Sequence, residues 1–516
     1  MFLAHALARH ATARPDEPAL SVGGETLTWA GLRERVHRAA HVLLAHGAGP
    51  GVPVVSVLAN SRELVETQLA CLSIGAVYVP LLPVSVQREI EHVVRDAGAR
   101  VLLCQADGAA GLAAAFPDLP LLVVGHEGAA GVGTDYAAAA AAAPTHDPGI
   151  VVDPQAVASI RYTSGTTGAP KGCLTTHDRL AWAAAVYLTE MNLERTDRAT
   201  LSSPLAAGLG VALLHTYVVA GIPMWVLPRF DADALLDLVE RERITLVYAI
   251  ESTFARLTRT EGLLERDLSS VRLMYANSPG KDAASGFRLL RSNPTWRGRF
   301  FNAYGSTEAG GSVTFNRPED IDRALDDPSL AGRTESIGRD APFCLVECLD
   351  DDGRPVPDGE VGELVISAPS LFAGYLGLPE ATAEVLRDGR LHTGDLAYRD
   401  AEGFVYMAGR KREMIKSGGL NVYPAEVEMV LTAHPDVVEV AVVGIADEQW
   451  GEKVVAVVVP EPGAAADADV LLEALRTHCT DRLAGYKRPK EYRLVTTLPK
   501  GETGKILKRA VVEALG

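Results

Sequence analysis

Cysteine is scarce in this chain. Six among 516 residues (Cys71, Cys104, Cys173, Cys344, Cys348 and Cys479) show neither metal-ligand spacing nor a disulfide framework. Cys344 and Cys348 fall in the alternating run FCLVECL, which predicts a shared strand face and a core role. Basic residues are outnumbered: Lys+Arg 49 against Asp+Glu 66 gives −17, which argues against nucleic acid or an anionic membrane as partner. No segment approaches the roughly 18 uncharged apolar residues of a membrane helix. The N-terminal MFLAHALARHATARPDEPAL is broken by His5, Arg9 and His10, so it lacks the apolar core of a secretory signal. A cytoplasmic protein is expected.

What the chain does have is length and apolar mass. With 516 residues, 47% hydrophobic and 22% charged, it predicts two or three domains with large cores. Up to about residue 400, strand-like runs alternate with amphipathic stretches: VPVVSVLAN, then SRELVETQLACLSIG, then AVYVPLL; later DADALLDLVERER, then ITLVYAI. This pattern predicts an α/β fold, a large N-terminal domain of sheets covered by helices. The alanines Ala137–Ala143 read as a surface helix or loop. Composition shifts at the basic segment MAGRKREMIKSGG, and beyond it a helix–strand–strand–helix–strand pattern predicts a small mobile α+β domain. The expected domains are 1–410 and 411–516.

The stretch YTSGTTGAPKG, Tyr162 to Gly172, follows the run VASIR, which reads as a buried strand. Backbone amides freed by glycine, hydroxyls and a lone lysine suit a polyphosphate. The spacing is not that of a Walker loop, since no G-x-x-x-x-G-K-[ST] occurs. NAYGSTEAGG adds Tyr304, Ser306, Thr307 and the carboxylate of Glu308, which suits Mg²⁺ beside phosphate. HTGDLAYRDAEGFVYMAGR places Asp395 in a turn before a hairpin ending at Arg410, and LPKGETGKILKR carries Lys505 in a glycine-flanked turn. A carboxylate can accept both ribose hydroxyls, and an arginine can reach sugar or phosphate oxygens. Taken singly, these residues read equally as a core tyrosine, a capping aspartate and a solvated lysine.

As a set, in this order and spacing, the motifs resemble the adenylate-forming superfamily of acyl-CoA synthetases, adenylation domains and beetle luciferases, over nearly the whole chain. The resemblance implies ATP, Mg²⁺ and coenzyme A, and roles at matching positions. Ser164, Gly165, Thr166, Thr167, Gly168 and Lys171 would cradle the β- and γ-phosphates, with Thr163 nearby. Tyr304 would lie against adenine, flanked by Gly305 and Ser306; Thr307 would contact phosphate and Glu308 would help hold Mg²⁺. Asp395 would bind the ribose, with Arg410 beside it. Lys505 would reach the acid's carboxylate and the α-phosphate. Arg412 would be the hinge that exchanges Lys505 for Lys416, Gly418 and Gly419 when the thiol enters.

Three segments depart from the family pattern, and all touch its acyl pocket. SPLAAGLGV offers only Ala206, Ala207, Gly208 and Gly210 where bulk is common. ANSPGK, with Asn277, Ser278, Pro279 and Gly280, replaces a glycine-rich wall, and IES stands where VPT is usual. The expectation is a bulky, largely apolar acid. No acidic residue in PLAAGLG is available to hold an α-amino group, which disfavours amino acids. No carrier domain follows Lys505, which predicts a separate acceptor, coenzyme A or a free acyl carrier protein. The leading expectation is an acid–CoA ligase. Its alternatives are an enzyme using only preformed acyl-AMP, a carrier-loading ligase, and a non-catalytic nucleotide-binding protein.

Overall fold

The computed structural model describes residues 2–128, 131–163, 170–277, 281–418, 420–447, 449–463, 468–480, 482–500 and 506–515. The chain divides into two compact units, Met1–Val346 with Ile366–Leu391, and Glu347–Val365 with His392–Gly516. Among the described residues no helix is long and apolar enough to cross a membrane.

Two sheets build the larger unit, and both follow the predicted alternation. In one, the strands Val77–Leu81, Pro53–Val57, Val101–Gln105, Leu121–Val124 and Thr134–Asp135 are neighbours in that order and run parallel. Each crossover needs a helix, and Ser61 starts one of them by accepting from the Leu64 amide at 3.1 Å, which caps Arg62–Ser73. Past Val77–Leu81 the sheet continues with Val157–Thr163, then antiparallel Lys171–Thr176 and Gly374–Tyr375. The other sheet centres on Leu246–Ile250, Leu273–Asn277 and Arg299–Ser306, parallel, with Gly311–Asn316 returning antiparallel.

One core joins both sheets: Tyr78 and Leu103 from the first and Tyr275 and Phe301 from the second pack with helices Trp29–Ala45, His177–Glu190 and Gly208–Ala220. Separate apolar layers cover the outer faces, around Phe254 and Phe287 on one and Val55 and Ile90 on the other. The alanine run forms the helix Tyr136–Ala142, whose terminal carbonyls at Ala141 and Ala143 accept from Arg38 Nη1 at 2.7 and 2.9 Å.

In the second unit, strands Val437–Asp447 and Gly451–Pro460 pair antiparallel, with Glu491–Leu494 parallel to the latter. Their valines serve both faces. Val440 and Val442 pack under helices Pro424–Thr432 and Ala468–Thr480, while Ala441 and Val443 face Leu498 and Val511. The boundary expected at 410/411 falls inside this unit, at the turn Lys411–Glu413. All six thiols are free; Cys348 is buried on strand Leu345–Leu349, whereas Cys344 precedes that strand and is half-buried.

Where three strands of the second sheet begin, buried Asp197 ties them together. Arg272 Nε donates to its Oδ1 at 2.6 Å, Thr245 Oγ1 donates to the same oxygen at 2.6 Å, and the Glu194 amide donates to Oδ2 at 2.8 Å. Asp197→Ala leaves the guanidinium and hydroxyl without their acceptor. The expected cost is about 3 kcal/mol, read as a lower urea midpoint for the larger unit; an unchanged midpoint would remove this pairing from the account.

Candidate active site

The predicted strand before the phosphate loop is present as Val157–Thr163, and the chain returns on Lys171–Thr176. Thr163 stands directly opposite Lys171 in the antiparallel ladder, so the two ends of the loop are pinned together. Ser164, Gly165, Thr166, Thr167 and Gly168 lie outside the described residues.

Next to Lys171–Thr176 runs the two-residue strand Gly374–Tyr375, with Tyr375 opposite Cys173. This places the Tyr375 ring under Lys171, whose Nζ sits 5.0 Å from the ring centroid. The Tyr375 hydroxyl donates to Glu308 Oε1 at 3.0 Å. Burial first, then the Glu308 charge, push the phenol's pKa up, so it remains a donor at all physiological pH. The Glu308 backbone is held too, its carbonyl accepting from the Phe372 amide at 2.8 Å. Lysine, ring, hydroxyl and carboxylate thus form one chain of contacts that starts at Lys171.

Glu308 is half-buried, and its second carboxylate oxygen has no hydrogen-bond partner among the described residues. No three His, Cys, Asp or Glu side chains cluster as a metal cage among those residues. A single open carboxylate fits Mg²⁺ that takes its other oxygens from phosphate and water.

Tyr304, Gly305 and Ser306 end the strand Arg299–Ser306, and Ser306 Oγ accepts from the Ala309 amide at 3.0 Å to turn the chain. Gly305 is required by packing, since a Cβ there would lie 2.0 Å from the Gly311 carbonyl oxygen. Thr307 follows in that turn, half-buried, its carbonyl accepting from Arg161 Nη2 at 3.4 Å.

The small-residue segment needs a correction. Gly210 is buried, and a Cβ there would meet the Pro204 carbonyl oxygen at 2.4 Å. Its missing side chain permits close packing of the helix Gly208–Ala220 on the preceding turn and opens no space. Ala207 is exposed, while Ala206 and Gly208 are half-buried at the helix start, so these three remain candidates for the pocket wall. Asn277 ends strand Leu273–Asn277; its side chain, with Ser278, Pro279 and Gly280, lies outside the described residues.

In the second unit, Asp395 is not in a turn. It lies within the strand Arg390–Arg399, paired in register with Arg410 of Val405–Arg410. The turn signal of TGD comes from Gly394, whose φ of 69° bends the strand without ending it. Asp395 is buried, and Arg410 Nε donates to its Oδ1 at 2.6 Å, which brings the predicted pair together. Arg412 is exposed in the turn Lys411–Glu413. Exposed Lys416 is the middle residue of the short strand Ile415–Ser417, and positive-φ Gly418 follows it, donating to the Trp450 carbonyl at 2.8 Å. Gly419 and Lys505 lie outside the described residues.

Two residues escaped the sequence reading. Tyr375 sits in LFAGYLGLPEAT with no spacing to mark it. Arg161 did carry a signal, a charge at an alternating position of a strand that otherwise reads as buried.

The AMP-binding enzyme family model matches residues 7–376, and its C-terminal domain model matches 426–505. The chain belongs to this family, and it is an enzyme of the acyl-CoA synthetase class. It is 38% identical to a feruloyl-CoA synthase of Amycolatopsis over 98% of both chains. It is 34% identical to an indoleacetate–CoA ligase of Aromatoleum aromaticum, over 98% of this chain and 97% of that one. Among solved structures, an anthranilate CoA ligase in complex with anthranoyl-AMP matches with a TM-score of 0.87 and 26% identity, over 99% of this chain and 96% of that one.

Tyr375→Phe keeps the ring under Lys171 and removes only the hydrogen bond to Glu308. A hydrogen bond to a charged group is worth about 1.5 kcal/mol or more, so kcat/KM for ATP should fall about tenfold. The magnesium concentration for half-maximal pyrophosphate release should rise with it. Unchanged ATP and magnesium dependence would show that the hydroxyl does not orient Glu308.

Proposed function

We propose that this enzyme activates a bulky, largely apolar carboxylic acid, aryl-substituted like ferulate or indoleacetate, as its acyl-AMP and transfers the acyl group to the thiol of coenzyme A. The observation that carries the reading is the contact chain from Lys171 through Tyr375 to Glu308 beside a pinned phosphate loop. The relatives named for ferulate and indoleacetate support the acid class, and half-buried Ala206 and exposed Ala207 add little bulk on that side.

The acid's carboxylate attacks the α-phosphorus of ATP in line and pyrophosphate leaves. Two anions have to meet, so the protein's contribution is mainly charge and position. Lys171 offsets the β- and γ-phosphates, Thr307 contacts phosphate and Lys505 neutralises charge between carboxylate and α-phosphate. Glu308, held by Tyr375, would bind Mg²⁺, which supplies charge stabilisation on the phosphate oxygens. Tyr304 lies against adenine, and Asp395, aligned by Arg410, accepts from the ribose hydroxyls. Residues 411–516 then turn about Arg412, Lys505 withdraws, and the Lys416–Gly419 segment admits the thiol, which displaces AMP.

A substrate panel graded by volume, run with ATP as free acids and again as chemically made acyl-AMPs, tests the reading. Aryl acids should be used in both forms, and a preference for acids of about two to six carbons would contradict the pocket argument. Activity on acyl-AMPs alone would replace it with a thioester-forming enzyme. Activity only with added acyl carrier protein would replace coenzyme A as acceptor. Lys505→Ala should abolish acyl-AMP formation and largely spare thioester formation from supplied acyl-AMP, and equal loss of both would show the lysine to be misassigned.

A further inference from the structure

Arg161 is a buried cation with no ion-pair partner among the described residues. It lies on the strand Val157–Thr163, two residues before Thr163 and so on the same face. The residue is 5% exposed. Its Nη2 donates to Thr175 Oγ1 at 3.3 Å and to the Thr307 carbonyl at 3.4 Å, both long contacts to neutral oxygens. Its Nε is buried and unpartnered, and Nη1 makes no hydrogen bond among the described residues. Glu308 is the acid whose charge reaches it, without forming an ion pair.

The described neighbouring titratable groups do not change this balance. Burial holds His215 at about 3, with the Arg161 charge adding to the effect, and burial also lowers His177 to about 4. Both imidazoles are therefore neutral at pH 7. Tyr187 and Cys173, which also face Arg161, are pushed upward by burial and stay neutral too. A guanidinium keeps its proton under these conditions. A buried, uncompensated charge is strongly unfavourable, and an anionic ligand removes the penalty.

Beside Nη1 begins the helix Gly208–Ala220, thirteen residues long. Its N-cap is Ala207, which has no side-chain acceptor, so its first amides are uncapped by any side chain. A Cβ on Gly208 would lie 3.3 Å from Arg161 Nη1 and 3.8 Å from Thr307 Oγ1. Guanidinium, helix start and threonine hydroxyl therefore meet at Gly208. Two helpful charges, the guanidinium and the positive end of the helix dipole, favour an anion there.

We propose that Arg161 and the first amides of the helix Gly208–Ala220 form the site that receives the carboxylate of the acid before adenylation. The proposal rests on the acid-activating reading above. The β- and γ-phosphates are the poorer occupant, because their loop begins beyond Thr163, roughly 7 Å further along the strand. The guanidinium borders instead on Gly208, at the acyl side. The step is balanced: a carboxylate oxygen forms the new bond to the α-phosphorus, the bond to the pyrophosphate oxygen breaks, and no proton or electron is exchanged. The substrate's carboxylate charge is consumed in the mixed anhydride. Arg161 therefore matters for the free acid and much less for its acyl-AMP.

That asymmetry is the test. Arg161→Met, similar in length, and Arg161→Lys are compared with wild type on the panel acid that wild type uses fastest, and on the matching chemically made acyl-AMP. For Arg161→Met, kcat/KM for the free acid should fall by about tenfold or more while KM for ATP stays within about twofold. Thioester formation from acyl-AMP should be largely retained, and Arg161→Lys should recover part of the loss. Equal loss with acyl-AMP would overturn the proposal, since a second anionic substrate group or a purely structural role affects both forms. No loss with the free acid would overturn it as well. Calorimetry with cinnamate and cinnamamide gives a readout that needs no turnover: wild type should prefer the carboxylate and Arg161→Met should not. Wild type binding both equally would also contradict the site. Should wild type release pyrophosphate with no acid at all, the acid-activating reading fails, and the calorimetric preference still decides whether Arg161 binds a carboxylate. Where Arg161→Met does not fold, Arg161→Lys carries the same comparisons.

Discussion

The pairing of Thr163 with Lys171 is the constraint on which the rest of the site depends. It draws together the two ends of the predicted phosphate loop and fixes which face Arg161 presents. By adding Gly374–Tyr375 as an edge strand, the same ladder brings the Tyr375 ring beneath Lys171 and the hydroxyl to Glu308. A register slip of one residue would send Arg161 and Thr163 to the opposite face of the sheet. The buried hydrophobic neighbours, Ala158 and Ile160, would then be turned toward the polar side. Core packing thus specifies the chemistry.

Electrostatically, the larger unit concentrates its effects in few groups. The buried histidines are held neutral by desolvation, and the phenol of Tyr375 is held protonated. Cationic character beside Thr307 therefore comes from Arg161 and the start of the helix Gly208–Ala220. Lys171 lies over an aromatic ring, which steadies the ammonium without neutralising it as a carboxylate would. Such an arrangement suits a reaction in which anions are brought together and no side chain forms a covalent intermediate.

Much of the fold was legible because its elements obey simple periodicities. Ser61 and Asp231 cap the helices predicted after them, and the valine runs of the second unit became strands with two buried faces. The failures have physical causes. Gly394 reads as a turn but only bends a longer strand, so Asp395 was misplaced. Gly210 reads as missing bulk, yet the space its side chain would fill belongs to Pro204, a contact set by tertiary packing. Tyr375 lies more than two hundred residues from Lys171 in sequence, and nothing local marks its position under the ammonium. Arg161 carried a signal as a charge inside a buried strand, but only the structure shows that no carboxylate among the described residues pairs with it.

A crystal structure of the enzyme with its free acid and a non-hydrolysable ATP analogue tests the account most directly. The account predicts a carboxylate oxygen within about 3.2 Å of Arg161 Nη1, with the β- and γ-phosphates beside Lys171. A carboxylate bound away from Arg161, or the β- or γ-phosphate bound to Arg161 in its place, would contradict it.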